Sequence, residues 1–237
     1  MTPELLRELN AARRERRAVM HVTDLETGHD RLVYEGDGED DDLGKVVKRT
    51  FRSGKSVIFE GEDGQRYFLN VHLPPARIVV IGAVHISQAL APIARIAGFD
   101  LTIVDPRTAF ASPERFAGVD LVAEWPDEVL EARPLDRFTA LVAVTHDPKI
   151  DDGPLKAALA AECFYVGALG SRKTHGRRVE RLSEAGVKDA ALERIAAPIG
   201  LDIGAASPGE IAVAIMAEII QALRKREPLA NASAKQA

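Results

Sequence analysis

The stretch Arg77–Ser87, RIVVIGAVHIS, decides how the rest of the chain is read. Ile78 to Ile81 are apolar without alternation, which marks a strand buried on both faces. Gly82 ends the run, and Ile86–Ala97 follows as a helix that stops at Gly98. The pairing recurs downstream. Leu101–Asp105 (LTIVD), a shorter Asp120–Ala123, Thr139–Thr145 (TALVAVT) and Phe164–Ala168 read as further strands, with a helix over Pro154–Glu162. Apolar strands separated by helices imply a mostly parallel sheet covered on both sides. With right-handed crossovers this is a doubly wound, Rossmann-like α/β domain over residues 76–237. Ser207-Pro208-Gly209-Glu210 supplies a cap, a proline at N1 and a glutamate at N3 for a last helix, whose buried face includes Ile211, Ile215 and Ile219.

Upstream the pattern is different. Pro74-Pro75 marks the change, because two prolines neither continue a helix nor join a central ladder. Residues 1–75 read as a small α+β domain. Leu5, Leu6, Leu9 and Ala12 form a short helical stripe. Two strand-turn-strand units follow, Ala18–Thr23 with Arg31–Tyr34, and Ser56–Phe59 with Arg66–Val71 around Glu62-Asp63-Gly64. Between them lie an exposed acidic loop, residues 36–42, and a helix over Leu43–Arg52. The loop lacks the alternating oxygen ligands and closing glutamate of a calcium loop.

Composition limits the function classes. The chain has 237 residues, 46% of them hydrophobic, and 36 acids against 31 bases give a net charge of −5, unlike a strongly basic nucleic-acid protein. One cysteine, Cys163, excludes an internal disulfide and a multi-cysteine metal site. His85, Gln88, Pro92 and Arg95 interrupt the most apolar stretch, so no membrane span is expected. The N-terminus has no apolar signal segment, and a cytoplasmic location is expected.

In an open parallel sheet, ligands bind beyond the carboxyl ends of the strands, where strand order reverses. The candidate site residues follow from that rule. Gly82, Ala83, Val84 and His85 open the first helix, whose amides suit an anion. A dinucleotide fingerprint wants a glycine where Val84 stands. Asp105 lies where an acid meets a ribose hydroxyl, or else makes an Asx turn into Pro106. Arg107 offers a fork for phosphate or for a neighbouring acid. Thr145, His146 and Asp147 follow the fourth strand, and His146 beside a carboxylate suits acid, base or ligand duty, while a loop histidine also serves simply to bond backbone. Asp152 reads as the cap of the helix near Pro154. Gly170, Ser171 and Arg172 open a helix that also carries Lys173, His175, Arg177 and Arg178. Phosphate capture and a tight turn with a solvated basic face both fit it. Asp202 sits in a glycine-flanked loop that turns toward the same mouth. Cys163, at the start of a buried strand, reads as an inert core thiol.

In this order and spacing, Pro74-Pro75-Ala76-Arg77, Gly82-Ala83-Val84-His85, Asp105-Pro106-Arg107, Glu114-Arg115-Phe116 and Thr145-His146-Asp147 form a series. It continues through Tyr165-Val166-Gly167, Gly170-Ser171-Arg172, the run from Pro198 to Gly204, and Pro208 to Ala212. Together these resemble the Rossmann domain of the XdhC/CoxI family, accessory proteins that mature molybdenum hydroxylases such as xanthine dehydrogenase and carbon monoxide dehydrogenase. The resemblance implies a cofactor-insertion chaperone rather than a catalyst. It would bind molybdenum cofactor (a molybdopterin, in free or nucleotide form) and assist its sulfuration and insertion. Arg107, Ser171 and Arg172 would hold the phosphate end, and His85, His146 and Asp147 would lie nearer the reactive end. The implied partners are the hydroxylase large subunit and a second XdhC/CoxI-type protein, and a homo-oligomer through the N-terminal hairpins is expected. Many family members carry G-S-x-P-R-like and G-G-C-x-E-like segments that residues 1–75 lack, so the chain looks like the short, CoxF-like members. The competing expectations are an NAD(P)-dependent oxidoreductase built on Asp105 and the Gly82 loop, and a nucleotide-sensing regulatory module.

Overall fold

A computed structural model describes residues 1–37 and 41–228, so part of the acidic loop and the end of the tail lie outside the described residues. The described residues divide into two compact units: Met1–Pro74 together with Arg226 to Pro228, and Pro75–Lys225.

The first unit opens with α1 (Pro3–Arg14), capped by the Thr2 hydroxyl, which accepts from the Leu5 amide. Strands β1 (Val19–Asp24) and β2 (Asp30–Tyr34) form one hairpin. Helix α2 (Asp42–Ser53) is capped by Asp41, and β3 (Val57–Glu60) and β4 (Arg66–His72) form the second hairpin. The antiparallel sheet has the order β2-β1-β4-β3. Leu9 and Ala12 of α1 bury against Val19, which removes the helix's apolar stripe from water. Arg226 closes this unit through a buried double ion pair with Glu35, 2.9 and 3.3 Å.

The second unit contains β5 (Arg77–Ile81), α3 (His85–Ile96), β6 (Asp100–Val104), β7 (Asp120–Val122), α4 (Pro126–Ala132), β8 (Thr139–Ala143), α5 (Pro148–Ala160), β9 (Tyr165–Ala168), α6 (Arg172–Glu184), α7 (Asp189–Leu192), β10 (Ile195–Ala196) and α8 (Pro208–Arg224). Its six strands are all parallel, in the order β10-β9-β8-β5-β6-β7. Order reverses between β5 and β8, as in a doubly wound Rossmann sheet. Residues alternate between two apolar layers. Ile78, Val80, Ala140 and Val142 face α3 and α8, whereas Val79, Ile81, Leu141 and Ala143 face α5 and its neighbours. Covering both faces explains why the strands read as continuous apolar runs.

One local expectation changes. Helix α5 starts at Pro148 rather than near Pro154, with Asp147 as its cap and Pro154 inside it. Asp152 is therefore a helical residue, not a cap. Between β6 and β7 the chain makes turns, held by bonds such as the Ala111 amide to the Arg107 carbonyl. Helix α8 has both arms of the expected capping box, Ser207 to the Glu210 amide and the Glu210 carboxylate to the Ser207 amide. No helix among the described residues is long and apolar enough to cross a membrane.

Candidate functional site

The carboxyl edge of the parallel sheet carries the loops after β5, β6, β8 and β9, and their polar groups are used unequally. The loop after β5 turns at Gly82, with φ +121°. A Cβ there would stand 2.9 Å from the Thr145 methyl, so only glycine lets this loop lie against the end of β8. The Ala83 amide donates to Asp105 Oδ2 at 2.8 Å, and the Ser87 hydroxyl donates to the Gly82 carbonyl. Arg115 donates to the Ala83 and Phe110 carbonyls and to Gln88 Oε1. Val84 is the α3 cap residue and supplies no side-chain cap, and His85 beside it is exposed.

Asp105 is fully buried. Its carboxylate accepts from the Ala83 amide, the Arg107 amide at 3.0 Å, Arg107 Nε at 2.9 Å and Arg107 Nη2 at 2.8 Å. Four donors meet a group with about four lone-pair sites. Burial alone would raise this carboxyl, but the Arg107 guanidinium and the two amides outweigh it and hold it below the ordinary value. Arg107 is raised in turn by the Asp105 carboxylate and its guanidinium lies over Phe110, 4.5 Å from the ring centre.

Beyond β8, His146 adopts φ +66°, an uncommon conformation for a residue with a Cβ. Asp151 holds it there. This buried carboxylate accepts from Thr145 Oγ1 at 2.7 Å and from the His146 amide at 3.1 Å. Burial pushes the Asp151 carboxyl up, partly opposed by Thr145 and Arg178. The Asp147 side chain caps α5 at the Lys149 amide.

Beyond β9, Gly170 turns at φ +136° and Ser171 caps α6, accepting from the Thr174 amide at 3.3 Å. Arg172 and Asp202 are exposed. Arg178 is not on a solvated face: it is 2% exposed. Its Nη2 donates to the Leu169 carbonyl at 2.9 Å, while Nε and Nη1 have no acceptor among the described residues. Burial lowers its pKa from the ordinary arginine value. Arg178 lines a cleft of about 340 Å³ with His146, Asp151, Asp152, Lys173, Arg177 and Arg181. The larger cleft, about 660 Å³, lies between α3 and the turns before β7, lined by Gln88, Arg95, Phe99 and Gly118 among others. It opens toward the starts of β6 and β7, away from the loops above. Among the described residues no three His, Cys, Asp or Glu side chains gather as a metal site. Cys163 is fully buried, and burial pushes its thiol up to about 12.

The chain matches the family described as the XdhC Rossmann domain over residues 78–219. It belongs to the XdhC family. It is 32% identical over 179 residues to the uncharacterized protein YqeB of Escherichia coli K12, covering 73% of this chain and 32% of that protein. It is 32% identical to a probable xanthine dehydrogenase subunit of Bacillus subtilis 168, over 65% of this chain and 44% of the relative. The molybdenum cofactor insertion chaperone PaoD of Escherichia coli K12 is 30% identical, over 62% of this chain and 40% of its own length. The chain thus spans less than half the length of each of these relatives. A crystal structure of a xanthine dehydrogenase from Bacillus halodurans shares the fold, with a TM-score of 0.61 at 24% identity, over 94% of this chain and 65% of that one.

The XdhC domain therefore brings Gly82, Ala83, Asp105 and Arg107 together, and Thr145 to Asp151 together. It leaves His85, Arg172 and Asp202 exposed at the surface. Asp151 and Arg178 carry much of the site's chemistry and stand outside the expected set. Arg178 has a readable signal. It lies one helical turn before buried Leu182, so it occupies the apolar face of α6.

Proposed function

We propose that the chain is a maturation factor for a molybdenum hydroxylase of the xanthine dehydrogenase or carbon monoxide dehydrogenase type, carrying molybdenum cofactor as cargo and delivering it to the apoenzyme. The observation that carries this reading is the XdhC match over residues 78–219, together with a cofactor insertion chaperone among the relatives. The loops beyond β8 and β9 suit a phosphate-bearing cargo, because a buried guanidinium there has two unpartnered nitrogens. In the same reading the Asp105–Arg107 pair braces the first loop. A carboxylate already meeting four donors has no capacity left for a ribose, which weighs against the oxidoreductase alternative.

The chain's own residues limit what it does to the cargo. Sulfur transfer by cysteine needs an accessible thiolate. Cys163 offers neither access nor ionisation, so the sulfur comes from another protein and this chain holds and hands over. The hydroxylase large subunit and a second XdhC/CoxI-type chain are the partners in this reading.

The test is maturation itself. A molybdenum hydroxylase is produced with and without the chain, and its molybdenum content and turnover are compared. The reading expects a low-activity, cofactor-poor enzyme without the chain, and full rescue by Cys163→Ala. Full loading in its absence, or steady nicotinamide turnover by the purified chain, overturns it.

A further inference from the structure

We propose that the cleft between α5 and α6 is a phosphate site, which takes the terminal phosphate of a phosphate-bearing small molecule. This deepens the reading above, from a surface suited to the cargo to the residues that grip it.

The decisive group is Arg178. A guanidinium brought out of water is costly unless its donors are met. Here the Leu169 carbonyl meets one nitrogen, and Nε and Nη1 are left over while the side chain lines the cleft. An oxyanion in the cleft supplies what is missing, because a phosphate accepts from two guanidinium nitrogens at once.

The surrounding charges agree. The lining carries Lys173, Arg177, Arg178 and Arg181 against Asp151 and Asp152, four positive and two negative, for a net of +2 with His146 neutral. Neither acid is free to repel a ligand outright. Asp152 is held by Arg181 through Nε at 2.6 Å and Nη2 at 3.1 Å, and Asp151 by the Thr145 hydroxyl and the His146 amide. With Asp152 paired to Arg181, and Asp151 near enough to Arg178 for their charges to attract, the uncompensated charge belongs to exposed Lys173 and Arg177, while Arg178 keeps two unanswered donors. Lys173 and Thr174 also place the first turn of α6 at the cleft. Its leading amides have no intrahelical acceptor, and the helix dipole favours an anion there.

Size sets the ligand class. The cleft's 340 Å³ equals roughly eleven waters at about 30 Å³ each. That exceeds a bare phosphate and admits a monoester with part of its attached group. His146 borders the same space, and its left-handed backbone is held by Asp151. A strained residue pinned beside an unsatisfied charge fits a built binding site.

The experiment is a titration of the full purified chain with inorganic phosphate, AMP and adenosine, followed by calorimetry. Phosphate and AMP are expected to bind and adenosine is not. AMP tighter than phosphate assigns an organic monoester, and equal affinities assign phosphate alone; both outcomes support the site. Arg177→Ala and Lys173→Ala, at exposed positions, should each weaken binding about tenfold, the loss expected for one charge-assisted bond. Arg178→Met should abolish it with an unchanged circular dichroism spectrum. Arg95→Ala, at the other cleft, controls for general charge and should leave affinity within about twofold. Failure of phosphate and AMP to bind, or binding indifferent to Arg177→Ala and Arg178→Met, overturns the site. The maturation assay separates the two claims. Phosphate binding without maturation removes the function and keeps the site, and maturation by a chain that binds neither phosphate nor AMP removes the site and keeps the function.

Discussion

Two glycine-bearing loops leave the same edge of the parallel sheet, one at Gly82 and one at Gly170. Each turns at a positive φ, and each opens a helix. In sequence they look alike, yet their chemistry is opposite. Around Gly82 the side-chain donors shown are answered from within the fold, although the start of α3 has no side-chain cap: Asp105 takes the Ala83 amide, Ser87 bonds the Gly82 carbonyl, and Arg115 ties Ala83 to Phe110 and Gln88. Beside Gly170 a buried cation keeps two donors unanswered. In the proposed reading the first loop is scaffold and the second is receptor. A glycine turn before a helix gives an anion the opportunity to bind, and the polar partners around it decide whether the opportunity is already taken.

The sharpest way to break the comparison is Asp105→Ala. Removing a buried acid that braces Arg107 and Ala83 should cost about 3 kcal/mol, read in urea unfolding. If Asp105 were instead a ligand group, stability would hold and only binding would fall. Gly82→Ala should cost about 2 kcal/mol, from the unfavourable φ and the close Thr145 methyl. A smaller effect is expected at the second loop. Arg178→Met removes two unanswered donors but also the bond to Leu169 and the positive charge beside Asp151, so thermal unfolding should change by no more than about 1 kcal/mol while phosphate binding disappears. Loss of both stability and binding would make Arg178 a structural residue and remove the contrast.

The weakest effect is in pH, and there the two acids differ in sign. The folded Asp105 carboxyl lies below its ordinary value, so the stability it gives is present above about pH 4 and is lost as pH falls through its folded value. The folded Asp151 carboxyl lies above, so its contribution is present below about pH 4 and is lost as pH rises through its folded value. Urea unfolding between about pH 3 and 7 should therefore show Asp105→Asn losing ground to the parent chain as pH rises and Asp151→Asn gaining.

The same contrast explains how much is legible beforehand. The apolar runs at Ile78–Ile81 and Leu101–Val104 announce parallel strands, because burial on both faces leaves no room for alternation. The XdhC resemblance rests on short words in the right order, and the match over residues 78–219 agrees. The start of α5 is easy to misplace because Asp147-Pro148, itself a cap and an N1 proline, also invites a chemical reading beside His146. The role of Asp105 stays open in sequence because its four donors come from two separate segments. Arg178 reads as one of several solvated bases because local charge density outweighs its spacing from Leu182. Whether a polar group is answered is a property of tertiary partners, and that is where the sequence stops.

The pairing of Arg226 with Glu35 has a consequence for synthesis. The two residues are 191 positions apart, and the whole parallel-sheet unit is threaded between them. A ribosome adding about 5–20 residues per second releases Glu35 roughly ten to forty seconds before Arg226 exists. The first unit to emerge is therefore the last that can be finished. During that interval its acidic Glu35 waits without its arginine, while Pro75–Lys225 is made in full and ends one residue before Arg226. The order of birth and the order of completion run in opposite directions along this chain.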